Sequence, residues 1–208
     1  MSEIFKGNPI TFEKTAFLNW RIYRNDEIGN ILSLAEGFLF SSINLLKLCI
    51  SNNRDNKADV LIFPILTNMN HGIELYLKAL IWTINKLKKS EEKFPKTHNL
   101  KTLMNESLKR IKEIEGDNSF KYFSQSTAEL QSYISELYEK INTDGKSDNI
   151  DFSRYPITTK FKNQFYVAKK ENVEIDLVHL LTVTKKILDS LDDRVGYFYY
   201  YKLVDGIE

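Results

Sequence analysis

The sequence predicts an all-α protein, a five-helix up-and-down bundle with a small β-hairpin before the last helix. Apolar residues recur at spacings of three and four along most of the chain, as they do on a helix that buries one face. The connections between these segments are short, and the alternation typical of strands is almost missing, which favours long antiparallel helices around a shared core. With 208 residues, 42% of them hydrophobic, one globular domain is expected.

The first two predicted helices form a long antiparallel pair. The first runs from Asp26 to Ser51, and Asn25 or Asp26 can cap it, because a short polar side chain can accept a hydrogen bond from the first free N–H groups. The second begins at about Asp59 or Pro64 and reaches Lys89. The proline should begin this helix or kink its first turns, because it has no N–H to donate.

The third and fourth helices follow the Phe94-Pro95 break. Thr97 or Asn99 can cap the third helix, whose apolar face continues to Gly116. The fourth is expected over residues 120–142. It is followed by a polar loop.

The β-hairpin is expected in residues 156–169, which are rich in β-branched and aromatic residues around a polar centre. The last helix starts near Glu174 and can continue into the five aromatic residues 197–201. We therefore expect a helical domain over 26–204, an N-terminal arm over 1–25 and a tail over 205–208. The apolar arm should pack on its own bundle or on that of a partner.

Composition excludes several classes of function. A net charge of +1 argues against a protein that coats nucleic acid, since such binding needs many cations. Residues 86–112 nevertheless carry nine Lys and Arg against three Asp and Glu, while residues 113–151 carry three against nine. The basic end either contacts phosphate or belongs to an ordinary alternating surface.

The expected setting is the cytoplasm. Neither a secretory signal nor an uninterrupted run of about 20 apolar residues is evident, so no membrane span is predicted. The single cysteine, Cys49, rules out a disulfide within the chain and is expected to be a buried thiol.

Common catalytic motifs are missing from the sequence. It contains no G-x-G pair, no Walker-type phosphate loop and no G-x-S-x-G turn, and no two of its histidines have the spacing of zinc ligands. We therefore predict no cofactor and no metal.

The most informative segment is a polar stripe on the second helix. At about 100° per residue, His71, Glu74 and Lys78 lie on one side, opposite an apolar face. The stripe is either a solvated face or a site that combines an acid-base group with a phosphate-binding cation. Gly72 within it suggests the close approach of a neighbouring helix, because a mid-helix glycine costs about 1 kcal/mol.

Other candidate residues lie outside this helix. His98 precedes the third helix and Lys101 lies in its first turn, while Arg154 and Tyr155 come just before Pro156, which holds its predecessor extended. Arg154 can bind phosphate or pair with Asp148 or Asp151. His179 is interpreted as structural, and the aromatic run as packing rather than base stacking.

The segments His71-Gly72-Ile73-Glu74-Leu75-x-Leu77-Lys78-Ala79, His98-x-Leu100-x-x-Leu103 and Arg154-Tyr155-Pro156 resemble those of the HEPN superfamily. The resemblance spans residues 26–195. It implies a HEPN-like bundle of four to five helices, a homodimer, and a role in prokaryotic toxin-antitoxin or antiviral defence. Many HEPN proteins are metal-independent ribonucleases with an Arg, four to six residues, then a His.

This chain departs from the ribonuclease motif, because no arginine precedes a histidine at that spacing. Three hypotheses follow. The first is a HEPN-like homodimer that binds nucleotide, RNA or a partner nucleotidyltransferase or antitoxin without that chemistry. The second is a divergent ribonuclease with His71 or His98 as acid-base group and Lys78 or Arg154 stabilising charge. The third is a purely structural interaction protein. The residues predicted to bind a ligand are His71, Glu74, Lys78, His98, Lys101, Arg154 and Tyr155.

Overall fold

The chain folds into an all-α helical bundle. The structure is a computed structural model that describes residues 11–19, 21–141, 150–158 and 160–206. The α-helices are α1 (Glu27–Ser51), α2 (Ala58–Leu87), α3 (Leu100–Ser126), α4 (Ala128–Ile141), α5 (Phe165–Ala168) and α6 (Leu177–Gly196). Short 3-10 helices occupy Phe12–Lys14 and Ile150–Ser153, and a π-helix, Tyr197–Val204, follows α6.

The pair α1 and α2 forms the centre of the bundle. Asp26 caps α1, as predicted, because its side chain accepts a hydrogen bond from the N–H of Gly29 at 2.9 Å. Helix α2 is buried on nearly all sides over its second half, with Leu77, Leu80 and Ile84 fully inaccessible. Pro64 lies inside α2 and does not begin it.

The close approach predicted from Gly72 is confirmed. A Cβ at this position would lie 2.7 Å from Cγ of Leu39 and 3.0 Å from the backbone oxygen of Ala35. Both neighbours belong to α1. The glycine therefore sets the distance between the two central helices.

The break predicted at Gly116, between the third and fourth helices, is confirmed. Gly116 interrupts α3 with a φ of 82°, which favours glycine, and the chain then returns to helical geometry and continues to Ser126. The expected single helix over 120–142 is divided at Thr127, whose hydroxyl donates to the carbonyl of Phe123 at 2.7 Å. Helix α4 then runs to Ile141, and residues 142–149 lie outside the described part of the chain.

The predicted hairpin is shorter than expected. Within the described residues of 156–169, pairing is limited to one antiparallel bridge between Ile157 and Asn163. The left-handed backbone of Phe161 turns the chain between them, and the short helix α5 follows directly. Phe165 and Tyr166 pack against the bundle, as Phe165 does against Phe152, whereas Phe161 is 85% exposed.

The last helix ends against the first. Asp176 caps α6 by accepting from the N–H groups of Val178 and His179, and the aromatic run continues the helix in π geometry. The hydroxyl of Tyr199 donates to Asp26 at 2.5 Å. The C-terminal turn is thereby tied to the N-cap of α1.

Two features of the N-terminal half bear on the sequence predictions. Helix α1 is long and apolar enough, by length and composition, to cross a membrane, a property it shares with core helices that bury one face. Cys49, on its buried face, is fully inaccessible, as predicted. In the arm, Leu18 and Tyr23 are exposed, while Ile10 and Trp20 lie outside the described residues.

We predict that Gly72→Ala destabilises the protein by about 1–3 kcal/mol, because the methyl group meets backbone atoms that cannot move without shifting α1. This loss exceeds the gain of about 1 kcal/mol in helix propensity. Urea unfolding measures the change. The control is Gly37→Ala on the exposed side of α1, where no atom lies within 4 Å and the propensity gain should stand alone. Equal effects of the two substitutions would contradict the packing explanation.

Candidate functional site

Helices α1 and α2, the start of α3 and the turn before Pro156 converge on one cavity. Its volume is about 230 Å³. The lining residues are Phe38, Thr67, Asn70, His71, Glu74, His98, Ile150, Ser153 and Arg154. The structure therefore brings together four of the residues singled out from the sequence: His71, Glu74, His98 and Arg154.

Glu74 is the centre of this cluster. Its side chain is 3% exposed, and one carboxylate oxygen, Oε1, accepts a hydrogen bond from Nζ of Lys78 at 2.7 Å. Nδ1 of His98 lies 2.9 Å from the same oxygen, and Nδ1 of His71 lies 3.7 Å from Oε2. The polar stripe is therefore not a solvated face at Glu74 and Lys78, which are both buried.

The carboxylate of Glu74 stays ionised despite its burial. Removal from water by itself raises the pKa, since it disfavours the charged form. Contact with His71, the hydrogen bond from Lys78 and the positive charges of Lys78 and His98 outweigh this effect and lower the pKa to about 2. Glu74 is thus a fixed negative charge that orients its cationic and imidazole partners.

The two histidines remain accessible while the carboxylate is not. The side chain of His98 is 74% exposed and that of His71 is 41% exposed. Phe38 packs edge-on against the ring of His71, with ring centres 4.5 Å apart. His98 is placed by the start of α3, where Asn99 caps the helix by accepting from the N–H of Thr102. A ligand can reach both rings, although each is held by its neighbours.

Asn70 contributes a buried hydrogen-bond donor without a partner. The residue is 1% exposed, and its Oδ1 accepts from the hydroxyl of Tyr133 at 2.6 Å. Its Nδ2 has no hydrogen-bond partner among the residues that the structure describes. A buried polar atom that lacks a partner costs free energy, and the residue that carries this one lines the cavity.

The opposite lining comes from the segment that precedes Pro156. The hydroxyls of Thr67 and Ser153 are hydrogen-bonded at 2.9 Å, which joins this segment to α2. Arg154 forms an ion pair with Asp151, one of the two partners that the sequence offers, and its side chain is 52% exposed. Asp148 lies outside the described residues. The guanidinium keeps further N–H donors for a ligand, since it has five.

Three candidate residues are not among the side chains that line the cavity. Lys78 is engaged with Glu74, and its ammonium also lies 5.4 Å from the ring centre of Phe94. Lys101 is exposed in the first turn of α3, and Tyr155 is exposed beside Arg154. Asn85 lies further along α2. Its side chain donates to the carbonyls of Glu92 and Lys93 and so holds the loop that follows the helix.

Sequence reasoning missed the role of Asn70, Phe38 and Ser153. Asn70 precedes Glu74 by four residues and so lies on the same stripe, which is a signal that could have identified it. Nothing comparable marks Phe38 or Ser153, because their positions depend on how α1 and the turn at residues 150–153 pack on α2. His179 lies at a different cavity, described below.

The cluster is suited to an anion rather than to a metal ion. Among the described residues, no group of three or more His, Cys, Asp or Glu side chains is arranged to hold a metal. The cavity instead offers the amide of Asn70, the guanidinium of Arg154 and the hydroxyl of Ser153 as donors. Two imidazoles, whose roles depend on their tautomers, and the carboxylate of Glu74 complete its polar lining. Charge-assisted donors of this kind bind phosphate and carboxylate groups.

Several cations of the basic end are already engaged. Lys88 pairs with Glu113 at 2.8 Å, and Lys112 pairs with Asp117 at 2.9 Å. Arg110 donates to Asn85 at 2.8 Å. Three of the nine cations in residues 86–112 therefore belong to surface pairs or to the packing of α2 against α3.

No protein-family model matches the chain, and comparisons with curated proteins and with solved structures give no match either.

We predict that Glu74 makes the stability of the protein depend on pH in the acid range. The unfolded chain binds a proton at the ordinary pKa of 4.5 and the folded chain at about 2, so stability is lost as the pH falls between these values. The difference in unfolding free energy between wild type and Glu74→Gln should shrink by about 3 kcal/mol from about pH 5 to about pH 2.

Urea unfolding at a series of pH values measures this difference. Glu171→Gln removes the same charge from an exposed loop and controls for net charge. A difference that stays constant across the acid range would mean that Glu74 is not stabilised in its charged form.

Proposed function

We propose that this protein is a HEPN-like helical module that binds the phosphate of a nucleotide or of RNA in the cavity between His71, His98 and Arg154. The resemblance of the sequence segments around these positions to the HEPN superfamily supports the ligand class. The chemistry of the cavity supports it independently, since its accessible groups are mainly hydrogen-bond donors.

The observation that carries the proposal is the free amide of Asn70. Tyr133 donates to the oxygen of the amide, so the hydrogen-bonding capacity left on this cavity-lining residue is that of its N–H donors. Phosphate oxygens accept hydrogen bonds and carry negative charge, and they suit a site in which Arg154 and two imidazoles surround this donor. The buried charge of Glu74 is balanced by Lys78, so it does not repel an anion strongly.

We expect wild-type protein to bind a fluorescein-labelled single-stranded RNA or a labelled adenosine nucleotide at low salt, measured by fluorescence anisotropy. Arg154→Gln should weaken binding about tenfold or more, as expected for one lost charge-assisted contact. Arg54→Gln, an exposed arginine in the loop between α1 and α2, removes the same charge and should leave binding nearly unchanged. A wild-type protein that binds neither probe refutes the proposal.

A divergent metal-independent ribonuclease is the second candidate. The hydrogen bond between Nδ1 of His98 and the Glu74 carboxylate favours it, because the carboxylate holds the proton on Nδ1 and leaves Nε2 as an accessible base. Nε2 would take the proton of the ribose 2′-hydroxyl as its oxygen attacks phosphorus. The 5′-oxygen would leave with a proton from His71, giving a 2′,3′-cyclic phosphate, and Arg154 would stabilise the added charge.

We expect this second candidate, if it holds, to give RNA cleavage that persists with a chelator and falls at least 100-fold in His98→Ala, the usual loss for an acid-base group. His179→Ala is the matched control, since His179 lies outside the cavity and should leave the rate unchanged. Gel analysis of an end-labelled RNA measures the rate. Binding without cleavage would support the first candidate over the second.

Homodimerisation, a partner nucleotidyltransferase or antitoxin, a role in defence and a cytoplasmic location stay predictions. The exposed apolar side chains Leu34, Phe40 and Leu48 on α1 are compatible with an interface.

A further inference from the structure

A second cavity lies between α4, α6 and the extended segment that precedes α6. Its volume is about 270 Å³. The buried side chains Leu66, Leu137, Phe152 and Leu180 form part of its lining, together with the partly buried Phe165 and Val183. A cavity of about 150 Å³ with such a lining holds a benzene molecule, so this one has room for a ring with a short chain.

The entrance to this cavity carries exposed apolar side chains. Val173 and Ile175 both line it, yet they are 39% and 41% exposed. An apolar ligand would cover them, and burial of apolar surface contributes about 25 cal/mol per Å². An apolar molecule in this cavity would therefore bury apolar surface that is exposed in the protein alone.

The polar part of the lining is mainly acidic. Glu129 is paired with Lys186 at 2.6 Å, and Asp176 caps α6, so both carboxylates are already engaged. The hydrogen bond from Lys186 lowers the pKa of Glu129, and the backbone N–H groups of His179 and Val178 lower the pKa of Asp176. Both carboxylates therefore stay charged. Glu136 and Glu174 add two more negative charges, against Lys140 and His179. The negative excess favours a ligand with a positive charge.

We propose that this cavity is a second binding site, for a small apolar molecule that carries one amine. The apolar body occupies the space between Phe152, Leu180 and Val183, and the ammonium group lies at the acidic entrance near Glu136 and Glu174.

The site is separate from the polar cavity but adjoins it. Tyr133 lines the second cavity, while its hydroxyl donates to Asn70, which lines the first. Phe152 lines the second cavity and its neighbour Ser153 lines the first. The proposal depends only on the second cavity, so its failure leaves the phosphate site untouched.

The test compares three compounds of the same shape: phenethylamine, the neutral 2-phenylethanol and the anionic 3-phenylpropionate. Methyl NMR spectra of the full chain follow Leu180 and Val183 during each titration. We expect shifts of these methyl groups with the amine, binding about tenfold weaker for the alcohol, and no binding of the acid. No shift with any compound overturns the site, and equal binding of amine and acid overturns its ligand class.

Two variants complete the test. Val183→Trp fills the cavity and should abolish the response to phenethylamine, whereas Val178→Trp, at an exposed position on the same helix, should not. If Val183→Trp fails to fold, Glu174→Gln decides, because this exposed side chain leaves the core intact. It should reduce the preference for the amine over the alcohol. A preference that is unchanged contradicts the role of the acidic entrance.

Discussion

The carboxylate of Glu74 is the constraint on which the arrangement of the site depends. It is removed from water on the central helix, so it is stable as a charge only while Lys78 and the two imidazoles stay close. This requirement fixes the loop between α2 and α3, since His98 must meet α2 at the start of α3. Close packing of α1 at Gly72 acts in the same region, and it brings Phe38 against the ring of His71. One buried charge therefore orients groups from α2 and from the segment before α3, and α1 contacts one of these groups.

The start of a helix could be predicted where the local sequence contains a capping residue. Asp26 and Asn99 are short polar side chains directly before an apolar face, and both cap the predicted helix. The sequence could not separate α3 from α4 at Thr127, because the apolar periodicity continues across this residue. Backbone hydrogen bonds also run through it, from Thr127 to Phe123 and from Gln131 to Thr127. In residues 156–169 strand propensity was misleading, because the chain turns at Phe161 and enters a helix at Phe165 after a single bridge.

For the candidate site, the stripe on α2 could be predicted but its burial could not. A helical projection places Glu74 and Lys78 on one side without showing which elements cover them. The cover comes from His98 and the turn at residues 150–154, which are distant in sequence. The sequence could not predict the unpaired donor of Asn70 for the same reason, because this donor follows from a hydrogen bond with Tyr133, 63 residues away. Sequence periodicity identifies the polar and apolar faces of a helix, whereas a site also depends on which other elements pack against those faces.

The hydrogen bond between Tyr199 and Asp26 joins two positions that are 173 residues apart in the chain. The start of α1 and the end of the helical chain therefore lie side by side. A circularly permuted chain, opened in the exposed loop between α1 and α2 and joined through a short linker near these two residues, can keep every helix pairing of the bundle. In this topology the fold depends on which helices pack together more than on which of them is synthesised first.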